Sequence, residues 1–225
     1  MRWSEVAGVV VVVLAVLVWS VWVAASRLDR LHRKVGASRS VVQAQLVRRA
    51  TVAAELATSG LLDPVSSVLV GEAAWSALAA DSAVARPDAP PELLALLLSD
   101  PRSSGERALS SPTEGALATV EELRDERGEV ESELSATLRA VLDDPDEIAA
   151  MRAVPGGDEL LDALSSAWYR AEIARRFHNE AVLQAQRVRR GRFVRLLRLA
   201  GHAPEPRTLE LDDAWPEALA RPGVG

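Results

Sequence analysis

Between Glu5 and Arg27 the chain reads VAGVVVVVLAVLVWSVWVAAS, 21 residues without a charge. Nothing else in the sequence restricts the fold so strongly. At about 1.5 Å per residue, roughly 20 helical residues cross the ~30 Å hydrocarbon layer of a bilayer. Valine is a modest helix former in water, but in lipid the backbone must satisfy its own hydrogen bonds, and that forces the helix. Trp3, Trp19 and Trp22 stand towards the ends of the run, where indoles favour the membrane interface. The competing reading is a cleaved signal peptide, with Val23-Ala24-Ala25 before Ser26 as the cleavage site. The run exceeds the roughly 7–15 residues of a signal h-region, and its leader sets only Arg2 against Glu5. A retained single-pass anchor, residues 1–26, is the expectation.

Charge sets the direction. Arg27, Arg30, Arg33 and Lys34 follow the span immediately, so the positive-inside rule places residues 27–225 in the cytoplasm, with the anchor in an inner (cell) membrane. Further along, the signs separate into blocks. Residues 55–165 hold 23 acidic and 7 basic side chains, whereas 170–207 hold ten arginines against Glu172, Glu180 and Glu205. With no cysteine, disulfide staples, thiolate catalysis and thiolate metal sites are excluded.

The soluble part reads as helices. Residues 40–59 put Val42, Leu46, Ala53 and Leu56 on one face, Gly60 is a stop, and Asp63-Pro64 starts a second helix to about Val84 that carries Trp75. The stretch from about 86 to 112 is broken by Pro and Gly and reads as a long connection with a short helix at 92–98. Thr113–Asp143 is helical in composition, with Leu117, Val120, Leu134, Leu138, Val141 and Leu142 as core candidates and Gly128 weakening its middle. Asp144-Pro145 opens another turn or two, Pro155-Gly156-Gly157 breaks the chain, and Asp158 caps the last helix. In that helix Leu160, Leu164, Ala167, Ala171, Ala174, His178, Ala181, Ala185 and Val188 recur in steps of four and three, a packing seam. Only RTLELD alternates with period two. The expected fold is all-α: one transmembrane helix, an antiparallel four-helix bundle over 27–200, and an irregular tail over 201–225 whose last ten residues are loose.

Two stretches carry a family resemblance. VVQAQLVRRATVAAEL holds an Arg-Arg pair preceded by glutamine and followed by leucine: Gln45, Arg48, Arg49 and Leu56. EIARRFHNEAV holds Glu172, Ile173, Arg175, Asn179 and Val182. With the single N-terminal membrane helix, these resemble the motifs of the LemA family of bacterial membrane-anchored helical proteins, and RLAGHAPEPRTLELDD is similar to that family's closing segment. His178 stands where a tyrosine is usual, Gln186 where an asparagine is common, and RVRRGRFVRLLR replaces a Phe-Pro. The resemblance implies a helical bundle at a membrane and brings no catalytic activity.

The polar cluster within EIARRFHNEAV is a natural place to look for chemistry. Di-metal bundles need Glu-x-x-His twice, but Arg175 follows Glu172 at that spacing, and His32, His178 and His202 are scattered. No metal or cofactor site is expected. His178 has no nucleophile motif to serve. The cluster Arg48, Arg49, Glu172, Arg175, His178 and Asn179 therefore reads as a polar seam, with Arg48 or Arg49 meeting Glu172 across helices. The segment QRVRRGRFVRLLRLAG is basic and amphipathic: Arg187, Arg189, Arg190, Arg192, Arg195 and Arg198 alternate with apolar residues. A membrane-surface helix is the first reading of it. The expected partners are the lipid bilayer and another protein, and nucleic acid is disfavoured because the soluble part is acidic and has no recognition motif. Two alternatives to a membrane-anchored interaction scaffold stay open: an enzyme with a carboxylate acid-base site inside the bundle, and a binder of acidic partners or nucleic acid through residues 187–198.

Overall fold

The computed structural model describes residues 3–84, 112–191, 194 and 205–222. Five helices and no strand lie among them: α1 Trp3–Thr58, α2 Pro64–Val84, α3 Pro112–Val141, α4 Pro145–Ala153 and α5 Gly157–Arg189. The all-α class matches the expectation. The connection from about 86, with its short helix at 92–98, lies outside the described residues up to Pro112, as do the side chains of Leu117 and Val120.

Sequence reading separates the anchor from the first soluble helix, but the structure joins them. α1 is a single helix of 56 residues. Nothing in RLDRLHRKVGASRS breaks it, because Gly36 alone costs about 1 kcal/mol and no proline intervenes. Arg33 pairs with Asp29 one turn back, and the Ser38 and Ser40 hydroxyls donate to the Val35 and Ala37 carbonyls at 2.9 and 2.8 Å. The N-terminal part is long and apolar enough to cross a membrane, and its most apolar window is entirely unburied.

The turns follow local chemistry. Gly60 takes φ +78°, the left-handed position that closes a helix C-terminus, and the Ser59 N–H donates to Leu56 O. Asp63 then caps α2, accepting from the N–H groups of Val65 and Ser66 at 2.9 and 3.2 Å. Hydrogen bonds from the Ser66 hydroxyl and backbone hold its carboxyl below the usual aspartate range. Asp144 caps α4 in the same way through Asp146 N–H at 2.8 Å. At the α4–α5 corner Gly156 has φ +84°, and α5 begins at Gly157, one residue before the expected cap Asp158. A Cβ on Gly157 would run into the Met151 carbonyl oxygen. Gly157→Ala should therefore cost about 1–3 kcal/mol through backbone displacement. Gly71→Ala on α2 meets only Ala57 Cβ at 3.6 Å and should gain up to ~1 kcal/mol from helix propensity. Equal unfolding midpoints for the two variants would contradict this account of the corner.

The chain divides into two compact units, Met1–Val42 with Ala174–Leu209 and Gln43–Ile173 with Glu210–Gly225. In the first, Leu28, Leu31 and Val42 of α1 are buried, as are Ala174, His178, Ala181, Val182 and Ala185 of α5 and Val194. The second holds a continuous core built from Val52, Ala53 and Leu56 of α1, Val70, Ala74 and Ala77 of α2, Leu134, Leu138 and Leu142 of α3, Ile148 and Met151 of α4, and Leu161, Leu164 and Trp168 of α5. Each such leucine contributes roughly 1.5–3 kcal/mol by leaving water. The expected seam of α5 is buried from Leu164 to Ala185, with Leu161 and Trp168 also inside it and Leu160 and Val188 only half-buried. Trp75 points outward at 65% exposure, beside Val65, Val68 and Leu69 on the open face of α2.

Residues 205–222 form no helix or strand, and 216–222, within the last ten residues expected to be loose, are docked. Leu219 is buried in the core, and the Trp215 ring packs on Trp168 at 5.9 Å. A large apolar pair near the chain end is enough to dock it, whatever the flanking charges.

Candidate functional site: a buried ionic chain and a pinned strap

Of the two arginines singled out in sequence, Arg48 is exposed and Arg49 is completely buried. One helical step separates them, about 100° of rotation, and it turns Arg49 into the core of the second unit. Its partner is not the expected Glu172. One terminal nitrogen, Nη2, meets Glu131 Oε2 at 2.8 Å and Glu131 O at 3.1 Å, and Nη1 donates to Ser135 Oγ at 2.9 Å. The guanidinium also lies over the Trp168 ring, 5.2 Å from its centroid. Glu131 in turn faces Arg127 at 3.9 Å, and Arg127 pairs with Asp81 of α2 at 2.7 Å.

The result is a chain of alternating charge, Arg49–Glu131–Arg127–Asp81, formally neutral, with its two central members 1% and 6% exposed. Neutrality matters because burying one unpaired ion costs several kcal/mol, which only close opposite charges and hydrogen bonds offset. The helix period explains its origin. Arg127, Glu131 and Ser135 recur every four residues on α3 and share one face, which continues C-terminally as Leu138 and Leu142. That face is polar in its first half and apolar in its second. Chemically the arrangement fixes helix register, and among the described residues no group of three His, Asp or Glu could hold a metal ion.

The remaining polar side chains of EIARRFHNEAV divide between the units. Glu172, in the second, is 5% exposed and lies 4.0 Å from the Arg221 guanidinium, which stacks on Trp215 at 4.9 Å. In the first unit, His178 is 6% exposed with its Nδ1 2.9 Å from Ser38 Oγ. Ser38 Oγ also lies 2.9 Å from Val35 O, so its single proton is shared between a backbone carbonyl and the imidazole. Asn179 reads the backbone of Leu209 with both ends of its amide, donating to Leu209 O at 3.0 Å and accepting from Leu209 N–H at 2.8 Å. Gln186 donates to Pro206 O at 2.8 Å. Arg175 is half-buried, Arg187 exposed and Arg189 half-buried, and Arg190 makes an exposed pair with Glu205 at 3.5 Å. Arg192, Arg195 and Arg198 lie outside the described residues.

Sequence reasoning missed the second unit's own hold on the strap Glu210–Pro222. Arg139 meets the Asp212 carboxylate at 2.6 Å, and Ser132 Oγ accepts Asp212 N–H at 2.9 Å. Trp168 Nε1 donates to Asp213 O at 3.3 Å, and Ser165 donates to Ala220 O at 2.7 Å. The signal was the Trp215-Pro216-x-x-Leu219 spacing in an otherwise charged tail. The Arg139 hydrogen bond, with help from Ala214 N–H, holds the Asp212 carboxyl below the usual range. A depressed carboxylate lends its stabilisation above the ordinary aspartate pKa of about 3.9 and loses it as pH falls through the lower folded value. Acid below about pH 4 should therefore loosen the strap first, seen as a Trp fluorescence change before helix loss, and Asp212→Asn should remove that early step. A single transition in both chains would contradict it.

No family model matches the chain, and comparisons with curated proteins and with solved structures find no match either.

Proposed function

We propose that this chain is a single-pass bacterial inner-membrane protein whose cytoplasmic part is an antiparallel four-helix bundle of LemA type, acting as an anchored interaction scaffold. One observation carries the reading: α1 begins in an unburied apolar stretch and ends, without a break, among the fully buried Val52, Ala53 and Leu56. A helix in water would gain nothing from the ten exposed valines and leucines between Val9 and Val23, whereas lipid would cover them. Short connections support antiparallel neighbours: Ser59–Asp63 between α1 and α2, and Val154–Gly156 between α4 and α5. A formally neutral ionic chain, in which Glu131 faces Arg49 at 2.8 Å and Asp81 faces Arg127 at 2.7 Å, supports a scaffold over a reaction centre.

In this reading the basic segment from Arg187 to Arg198 lies along the anionic leaflet, where each basic side chain contributes about 1 kcal/mol. Residues 27–225 should bind vesicles containing phosphatidylserine, and reversing Arg189, Arg192 and Arg195 to glutamate should weaken binding by roughly a hundredfold or more. Unchanged binding, or none by the unmodified protein, would remove the surface helix. Steep salt dependence with DNA but not with vesicles would replace it with the polyanion reading.

A further inference from the structure

Residues 210–222 form no helix or strand, yet side chains of α3 and α5 hold their main chain at Asp212 N, Asp213 O, Ala214 O and Ala220 O. Arg139 selects a carboxylate at Asp212, Trp168 receives the Trp215 ring, and the core receives Leu219. Gly128, otherwise a liability in mid-helix, sits where the strap comes closest: a Cβ there would lie 2.7 Å from Glu210 O. Main-chain contacts made by fixed side chains, receptacles for two apolar anchors, and a missing side chain at the point of closest approach are how a surface recognises an extended peptide.

We infer that this face of the second unit is a peptide-recognition groove. Its ligand class is an extended segment of the pattern Asp-x-x-Trp-Pro-x-x-Leu, which residues 212–219 supply in cis, and its exchange partner is the same segment from a second copy of the chain. The second copy is the favoured occupant because these holds all fall within 210–222, so none depends on the covalent link through 201–204. Another copy therefore offers the identical ligand. The inference does not rest on the membrane reading and is tested in detergent.

A protease recognition sequence inserted between His202 and Ala203 of the full chain allows the strap to be cut in the folded protein. After cutting, the released segment should stay with the remainder through size exclusion. A fluorescent peptide of residues 205–222 should then exchange into its place, at least tenfold more tightly than the same peptide with Trp215→Ala and Leu219→Ala. Gly128→Ala, which favours α3 while crowding the strap, should weaken the peptide at least tenfold with the helical circular dichroism signal undiminished. Two differently tagged full-length copies should co-purify, and should cease to do so when both carry the Trp215→Ala and Leu219→Ala pair. Loss of helix signal on cutting would make the strap an integral core element and overturn the groove. Failure of the peptide to bind an intact cut protein, or equal binding by the substituted peptide, would overturn it too. Peptide exchange without co-purification of tagged copies would overturn the second copy as occupant.

Discussion

Replacing Arg49 with methionine should destabilise the soluble part by about 3–5 kcal/mol, although the side-chain volume and the apolar stem are largely kept. The cost comes from what is left behind. Glu131, 1% exposed, would keep only Arg127 at 3.9 Å, and Ser135 would lose its guanidinium contact. A buried carboxylate with a distant partner either stays charged at high cost or takes up a proton. Replacing both Arg49 and Glu131 with apolar residues should cost less than the sum of the single changes, since neither ion is stranded, with a coupling of roughly 1–3 kcal/mol. Urea unfolding of residues 27–225 and of the three variants measures the cycle. Arg49→Met within ~0.5 kcal/mol of the parent would mean the chain of charges is not what fixes the register of α1 against α3.

A second large effect is expected in the first unit. Leu14 and Leu17 lie near the middle of the apolar run, 56% and 46% exposed. Aspartate at the centre of a membrane helix costs about 2.5–3.5 kcal/mol, so Leu14→Asp with Leu17→Asp should oppose insertion by about 5–7 kcal/mol. The doubly substituted chain should leave the membrane fraction, while Ser26→Asp, at the edge of the run, should stay in it. Retention of the double variant would show that something other than burial of this helix in lipid holds the protein at the membrane.

How much of this was legible beforehand depended on the kind of signal. The turns were plain, because Asp63-Pro64 and Asp144-Pro145 combine a capping carboxylate with the residue that suits a first helical position. So was the α5 seam, whose alanines recur at the helix period. The continuity of α1 was not, since a polar, glycine-containing stretch reads as a boundary unless its i,i+4 pairs are counted. Nor was the ionic chain. In ERGEVESELS half of the residues are charged, and sequence alone does not say that Arg127 and Glu131 turn inward while Glu129 and Glu133 stay in water. Arg49 was found, but its partner was sought in Glu172, on a helix expected to face it; the carboxylate that meets it is Glu131 of α3. The strap was missed for a simpler reason: irregular, charged and terminal, it looks like the segments that usually hang free.

The absence of native cysteine makes the decisive measurement direct. Single cysteines introduced at each position from Trp3 to Ser40 of the full chain can be probed with a membrane-impermeant maleimide, in intact cells and in inverted membrane vesicles. The account predicts a protected window over about 6–26 in both preparations, followed by reactivity at Asp29, Arg30 and Arg33 in inverted vesicles alone. Labelling throughout Val9–Val23 would contradict the membrane-spanning helix, and labelling of Asp29–Arg33 in intact cells would contradict its direction.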